Sequence, residues 1–316
     1  MRIIAVEEHY GSRRIVEAIG VPVRAAAELE GKLTDLGEGR IADMDAAGID
    51  LQLLSLNSPG AQALTSAEAV PLVREENDRL AEAVRARPDR LAALASLPTA
   101  DPEAAADELE RAVRELGFRG GIVNGHTGGR FLDDRAFWPL LERAQALDVP
   151  LYLHPAPPPP AVVEVYYRGL DPEVGGALAT SGWGWHVETG LQVLRLILSG
   201  AFDRFPRLQL VIGHMGEALP FMLARIDERL APELTRLERP VSAYVRENLH
   251  LTTSGFFTFP PLLDALLEVG PERILFAVDY PFSPNQRGRA FLDSIPVSPA
   301  DREKIAHRNA ERLFRL

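Results

Sequence analysis

Apolar positions along this chain follow two rhythms. Short runs rich in Ile, Val and Leu, with little alternation, recur at Ile3–His9, Leu51–Asn57, Leu91–Leu97, Gly120–Asn124, Pro150–His154, Leu208–His214, Leu249–Ser254 and Ile274–Asp279. Runs apolar on both faces fit strands buried on both sides, as in a parallel sheet covered by helices. Between them the apolar residues return every three or four positions, set against Glu, Asp and Arg. Ser66–Ala86, Pro102–Leu116, Asp133–Leu147, Glu188–Gly200, Glu217–Leu230, Pro260–Val269 and Pro299–Leu313 therefore read as helices. Asp101 stands just before Pro102, where its carboxylate is suited to accept the free amides of the first turn.

Eight strands alternating with helices match the count of a closed (β/α)8 barrel, an architecture of about 250 residues. The expectation is an α/β fold of that kind, one domain over residues 1–316, with no low-complexity linker and no internal repeat. An open doubly wound sheet is the competitor. Neither G-x-G-x-x-G after a strand nor G-x-x-x-x-G-K-[ST] is present to give it phosphate chemistry. Two connections are long, Tyr10–Arg40 after the first strand and Pro155–Trp185 after the fifth. On a barrel both βα loops lie on the catalytic face, where long loops form lids, substrate walls or oligomer contacts.

Composition narrows the chemistry. With 34 basic and 45 acidic side chains the formal net charge is −11. Such a field repels phosphate backbones and anionic lipid, which argues against nucleic-acid and membrane-surface partners. The absence of cysteine removes disulfides, thiolate metal sites, iron–sulfur clusters and a cysteine nucleophile. The only lysines, Lys32 and Lys304, read as surface positions, so a Schiff-base enzyme has no candidate residue. No run approaches the ~20 apolar residues of a membrane span. MRIIAVEEHY lacks the zones of a signal peptide, and a cytoplasmic protein is expected.

Polar residues gather at the carboxyl ends of the predicted strands. The first ends Glu7-Glu8-His9; residues two apart share a face, so Glu7 and His9 project together while Glu8 points the other way. The fifth ends in His154, the sixth in His214 and the eighth in Asp279. One histidine at a strand end is ordinarily a hydrogen-bonded core residue. Five groups able to hold a metal or a proton, converging on one rim, point to a site. Oxygen and imidazole donors suit Zn2+ or Mn2+, with Mg2+ less favoured. His126 and His186 are open to substrate contact but are not expected as metal ligands, and His250, near the start of the seventh strand, reads as structural.

At these residues the chain resembles the amidohydrolase superfamily, in the branch of aminocarboxymuconate-semialdehyde decarboxylase and the 2,3-dihydroxybenzoate and γ-resorcylate decarboxylases. The resemblance rests on Val6-Glu7-Glu8-His9, Leu132-Asp133-Asp134, the stretch from Val149 to Pro155, Ser199-Gly200-Ala201-Phe202-Asp203-Arg204-Phe205-Pro206, Gly213-His214-Met215-Gly216-Glu217, Thr252-Thr253-Ser254-Gly255, Val278-Asp279-Tyr280-Pro281-Phe282, and the stretch from Ile305 to Leu313. It implies that Glu7, His9, His154 and Asp279 hold one divalent ion, with His214 and Glu217 paired beside the substrate. Glu217, three residues on and one turn into the following helix, is expected to accept an imidazole N–H. Arg225 matches an arginine that in relatives reaches a neighbouring subunit's site, which implies a homodimer or homotetramer; its local alternative is a surface ion pair. Many hydrolytic members begin H-x-H and bridge two metals with a carbamylated lysine. Here Glu7-x-His9, and Asn124 at the fourth strand, leave a mononuclear site.

The activity so implied is non-oxidative decarboxylation of a small hydroxylated aromatic carboxylate, its carboxylate and ortho hydroxyl chelated together. Asp279 would deliver a proton to the ipso carbon, and His214 would steady the developing oxyanion or relay the proton. Phe282, Trp183 and Trp185 are candidates to pack on the ring. The same site suits a metal-dependent hydrolase or hydratase acting on a lactone, an amide or an unsaturated acid, and residue types alone do not separate the two.

Overall fold

The computed structural model describes residues 1–19 and 27–316. Its strands are β1 (Ile4–Tyr10), β2 (Leu51–Leu56), β3 (Leu91–Ala93), β4 (Ala95–Ser96), β5 (Gly121–Asn124), β6 (Leu151–His154), β7 (Leu210–Ile212), β8 (Leu249–Thr252) and β9 (Ile274–Leu275). β1-β2-β3 form one sheet and β4 to β9 a second, both in chain order. All of these pairings are parallel, with helices between, giving an α/β fold with parallel sheets.

The expected third strand is divided. Leu94 gives its amide to Leu54 O at 2.9 Å, whereas Ala95 gives its own to Gly120 O at 2.8 Å, so one residue passes the chain from β2 to β5. The expected eighth strand keeps ladder form only at Ile274–Leu275, since Phe276 gives its amide to Ile305 O at 2.9 Å, and the run turns at Asp279, whose φ is 72°. The residues after β9 still run beside β1. Val6 N meets Phe276 O at 3.1 Å, Asp279 N meets Glu7 O at 3.2 Å, and His9 N meets Tyr280 O at 2.7 Å.

Strand alternation sorts the apolar side chains into two layers. Ile4 and Val6 cluster with Leu51, Leu53, Ile122, Val211 and Leu275, and with Phe314 from the last helix, while Ile3 and Ala5 pack into a second cluster with helix residues such as Leu109, Leu140 and Leu196. Burying a side chain such as Phe314 is worth roughly 1.5–3 kcal/mol. Asp101 caps its helix as expected, accepting Ala104 N at 3.1 Å.

The two long connections are more ordered than the expected loops. The first carries helices Arg13–Ile19 and Ala27–Thr34, the second Pro160–Tyr166 and Pro172–Ala179, and the next helix already begins at Gly184. These are short helices with few buried residues, so they leave no long apolar period in the sequence. Helix Glu38–Ala47 escaped the pattern for a related reason: it buries only Arg40, Met44 and Ala47.

Candidate metal centre and active site

Glu7 and His9 lie on the same face of β1, His154 ends β6, and Asp279 follows β9. One ligand atom from each of the four lies within 4.8 Å of the others. Tyr152 Oη and Thr252 Oγ1, the latter at 2.8 Å, donate to Glu7 Oε2 and fix the carboxylate. Glu7 Oε1 is left buried without a partner, and so is His9 Nε2, although Asp279 Oδ1 stands only 3.2 Å from it. His154 gives its Nδ1 proton to Pro155 O at 2.7 Å, which turns the lone pair of Nε2 toward Glu7 Oε1 at 3.4 Å. Two lone pairs facing each other, beside the unpartnered buried Nε2 of His9, are the arrangement a cation satisfies. Carboxylate and imidazole donors fit a divalent ion of the Zn2+ or Mn2+ type.

Electrostatics agrees with that fit. Burial, with His9 and His214 adding to it, holds His154 well below the usual histidine range, so it is the neutral imidazole that a metal needs. Burial likewise pushes Glu7 up, against the pull of His214. Gly213 is required at its place, since a Cβ there would come within 2.9 Å of both Glu7 oxygens.

Behind β7 the backbone is strained. His214, Met215, Gly216, Glu217 and Ala218 have φ of 52°, 57°, 92°, 55° and 64°, five left-handed residues in succession. Such a conformation costs roughly 1–2 kcal/mol for each non-glycine residue. It corrects one expectation: Glu217 is not inside the following helix, which starts at Leu219, but in the turn before it. From there it still accepts His214 Nδ1–H at 2.7 Å. Burial disfavours the charge on His214, yet Glu217, Glu7 and Asp279 raise it to about 10. Glu217 is drawn down, against its own burial, by His214 and His186.

His186 is the residue whose role the sequence left open. From helix Gly184–Leu198 its Nδ1 meets the other Glu217 oxygen at 2.6 Å, and its ring lies 4.6 Å from that of His214. One carboxylate thus spans two imidazoles. No fixed spacing links His186 to His214, so only the fold brings them together. His126 instead accepts Gly129 N at 3.1 Å and is absent from the cavity lining.

Glu8 points away from the site, as strand alternation requires, and accepts Val278 N at 2.8 Å and Tyr280 N at 3.2 Å. Those amides flank Asp279, so Glu8 holds the segment that presents it. Arg40, fully buried, donates to His9 O at 2.6 Å and supports the same corner.

The centre opens into a cavity of about 1090 Å3 lined by His154, His186, His214, Asp279, Trp185 and Phe282, among others. That is slightly above the usual range of small-molecule sites, about 300–1,000 Å3. Phe282 sits with its ring 5.7 Å from that of His9. Trp183 is half-exposed and outside the lining. Arg225 is also outside the lining of its own subunit's cavity and pairs with Glu228 at 2.9 Å on the surface.

Parallel sheets with an oxygen-and-imidazole cluster at their carboxyl ends define a class of metal-site α/β proteins. The Amidohydrolase profile matches residues 26–316, and the chain belongs to the amidohydrolase family. It is 41% identical to a γ-resorcylate decarboxylase of Polaromonas sp. (strain JS666), over 99% of this chain and 98% of the relative. A crystal structure of 2,6-dihydroxybenzoate decarboxylase complexed with 2,6-dihydroxybenzoate is similar with a TM-score of 0.92 at 40% identity, covering 100% of both chains. A dihydroxybenzoic acid decarboxylase from Polaromonas sp. JS666, solved with bound manganese and the inhibitor 2-nitroresorcinol, gives a TM-score of 0.92 at 40% identity over 100% of this chain and 97% of that one.

Proposed function

We propose that this chain is a metal-dependent decarboxylase of a hydroxylated aromatic acid. The observation that carries the reading is the cluster of Glu7, His9, His154 and Asp279 with its unpartnered buried acceptors, beside a cavity that His214, held by Glu217, also lines. The relatives at about 40% identity are decarboxylases, which supports decarboxylation over hydrolysis or hydration. Glu7, His9, His154 and Asp279 would hold Mn2+ or Zn2+, which would supply positive charge for the substrate carboxylate and its ortho hydroxyl. The remaining work falls to the side chains. Asp279 gives a proton to the ipso carbon; the C–C bond then breaks, CO2 leaves, and the bonding pair restores the aromatic ring. The charged His214, held by Glu217, steadies the phenolate oxygen as negative charge builds on it. Phe282 and Trp185 pack on the ring, and the cavity wall excludes water.

In this reading the two sheets form one (β/α)8 barrel and one domain over residues 1–316. The bonds of Leu94 and Ala95 and those between β1 and residues 276–280 support it. Exposed Val165, Tyr166, Val174, Leu191 and Phe221 form apolar surface suited to a homodimer or homotetramer. Arg225, on the helix that bears Phe221, is then available to a neighbouring subunit's carboxylate. No described helix is long and apolar enough to cross a membrane, and a cytoplasmic location is proposed. The test is to load the protein with Mn2+ and offer 2,6-dihydroxybenzoate and related hydroxybenzoates, with lactones and anilides as the hydrolytic control. CO2 release from one of the acids is expected. Turnover of the lactones or anilides alone refutes the reading.

A further inference from the structure

A second cavity, of about 500 Å3, lies at the opposite end of the strands. Residues that precede or begin β6, β7, β8 and β9 line it: Asp148, Arg207, His250, Glu272 and Arg273, joined by Arg312 and Arg315 from the last helical segment. Four arginines at one cavity are notable in a chain of net charge −11. The carboxylates nearby are already committed. Asp148 pairs with Arg315, Glu272 with Lys304 at 2.6 Å, and Glu247 with Arg239. None of the described carboxylates forms an ion pair with Arg207, Arg273 or Arg312.

Arg273 is the telling residue. It is partly buried, and its guanidinium donates to two neutral acceptors, Gln209 Oε1 at 2.8 Å and His250 Nε2 at 2.9 Å. Burial and the neighbouring Arg312 act against its charge, and Glu247, itself paired with Arg239, favours it. Arginine only donates, so His250 must accept through Nε2 and carry its own proton on Nδ1. That Nδ1–H is buried and has no acceptor. A cation without an ion-pair partner and an N–H without an acceptor are two separate deficits, and each costs free energy if left unmet. An oxyanion in the cavity answers the first, its oxygens taking the guanidinium fork of Arg273 with Arg207 and Arg312 on the same lining.

We infer that this cavity binds a small oxyanion, either free phosphate or the phosphate group of a small ester. Its volume lies within the range of about 300–1,000 Å3 typical of small-ligand sites, which leaves room for an organic portion. It lies at the strand ends opposite the proposed catalytic centre, so occupancy and turnover can be measured separately.

Calorimetric titration and thermal unfolding test the inference, with inorganic phosphate and glycerol 3-phosphate as probes and sodium chloride at matched ionic strength as control. The wild-type Tm is expected to rise with phosphate and not with chloride, since a ligand that binds only the folded state stabilises it. Arg273→Gln and Arg312→Gln should each weaken phosphate binding at least tenfold. Arg312 is exposed, so its variant should remain folded, as hydroxybenzoate turnover like that of wild type would show. Tighter binding of glycerol 3-phosphate assigns the site to an ester, and equal or weaker binding assigns it to the free ion. Equal Tm shifts with phosphate and chloride, or full phosphate affinity in Arg312→Gln, would overturn the inference.

Discussion

His214 and His250 belong to neighbouring strands, both are buried, and their charge states are opposite. His214 follows β7 at the carboxyl end, facing Glu217, Glu7 and Asp279, and is raised to about 10. His250 sits near the start of β8 at the amino end, facing Arg273 and Arg312, and is lowered to about 3. Burial disfavours the charged form of both; the neighbours overturn it at His214 and add to it at His250. Carboxylates gathered at one rim make an imidazolium able to stabilise negative charge. Guanidiniums gathered at the other make a neutral imidazole that can only hydrogen-bond. The same side chain is thus a chemical group in one place and a structural one in the other.

The sharpest test of this contrast is at the carboxyl rim. Asp279→Asn keeps an oxygen in the cluster but has no acidic proton to give. Turnover per bound metal should fall by about 10²–10⁴, the usual worth of general acid catalysis. CO2 release normalised to metal content by elemental analysis checks it, and near wild-type turnover would remove Asp279 as the proton donor. His214→Asn should leave metal content unchanged and lower turnover by about 10²-fold, comparable to losing one donor to a developing oxyanion. His250→Gln, the matched change at the other rim, should keep turnover within about twofold; a loss like that of His214→Asn would dissolve the contrast.

Glu8→Gln probes the frame rather than the chemistry. Glutamine accepts one of the two amides that Glu8 now holds and presents its own NH2 to the other. Metal content should stay near one equivalent while turnover drops about 10-fold or more, because small misplacements of a reacting group are costly. Loss of metal would mean that Glu8 supports the ligands themselves. A separate effect, on stability rather than turnover, concerns pH. The folded state refuses a proton at His250 down to about pH 3, whereas the unfolded chain accepts it near 6.5. The folded state is therefore favoured above pH 6.5, and the advantage shrinks as pH falls, by up to about 1.4 kcal/mol per unit. Denaturant unfolding between pH 7 and 4 should show a flatter profile in His250→Gln than in wild type; identical profiles would show that His250 titrates normally.

Much of this architecture was legible in the sequence because it is periodic. Runs such as Leu151–His154 are apolar on both faces and end in a polar residue, so strand and site could be read together. Glu7 and His9 sharing a face follows from strand geometry alone. What escaped reading depends on shape without period. Nothing local marks five left-handed residues at His214–Ala218, since only Gly216 among them is a residue that favours that conformation. His186 joins Glu217 through the packing of a helix, and Tyr152 and Thr252 reach Glu7 from β6 and β8; these are meetings across the sheet that no spacing encodes. Arg273 and His250 form their pair on similar terms.

The bonds between β1 and the residues after β9 also set a timetable for assembly. Glu8 and Val278 are 270 residues apart. At roughly 5–20 residues per second, a ribosome that has made Glu7 and His9 needs on the order of tens of seconds to deliver Asp279. Throughout that interval the nascent chain holds its first two ligands without the fourth, and β1 has no neighbour on one edge. A stop codon or frameshift shortly before Asp279 would leave most of the helices and strands encoded and still abolish the cluster. The proposed metal centre would therefore record that synthesis has passed residue 279, and metal retention would report on chain completion in a cell-free translation.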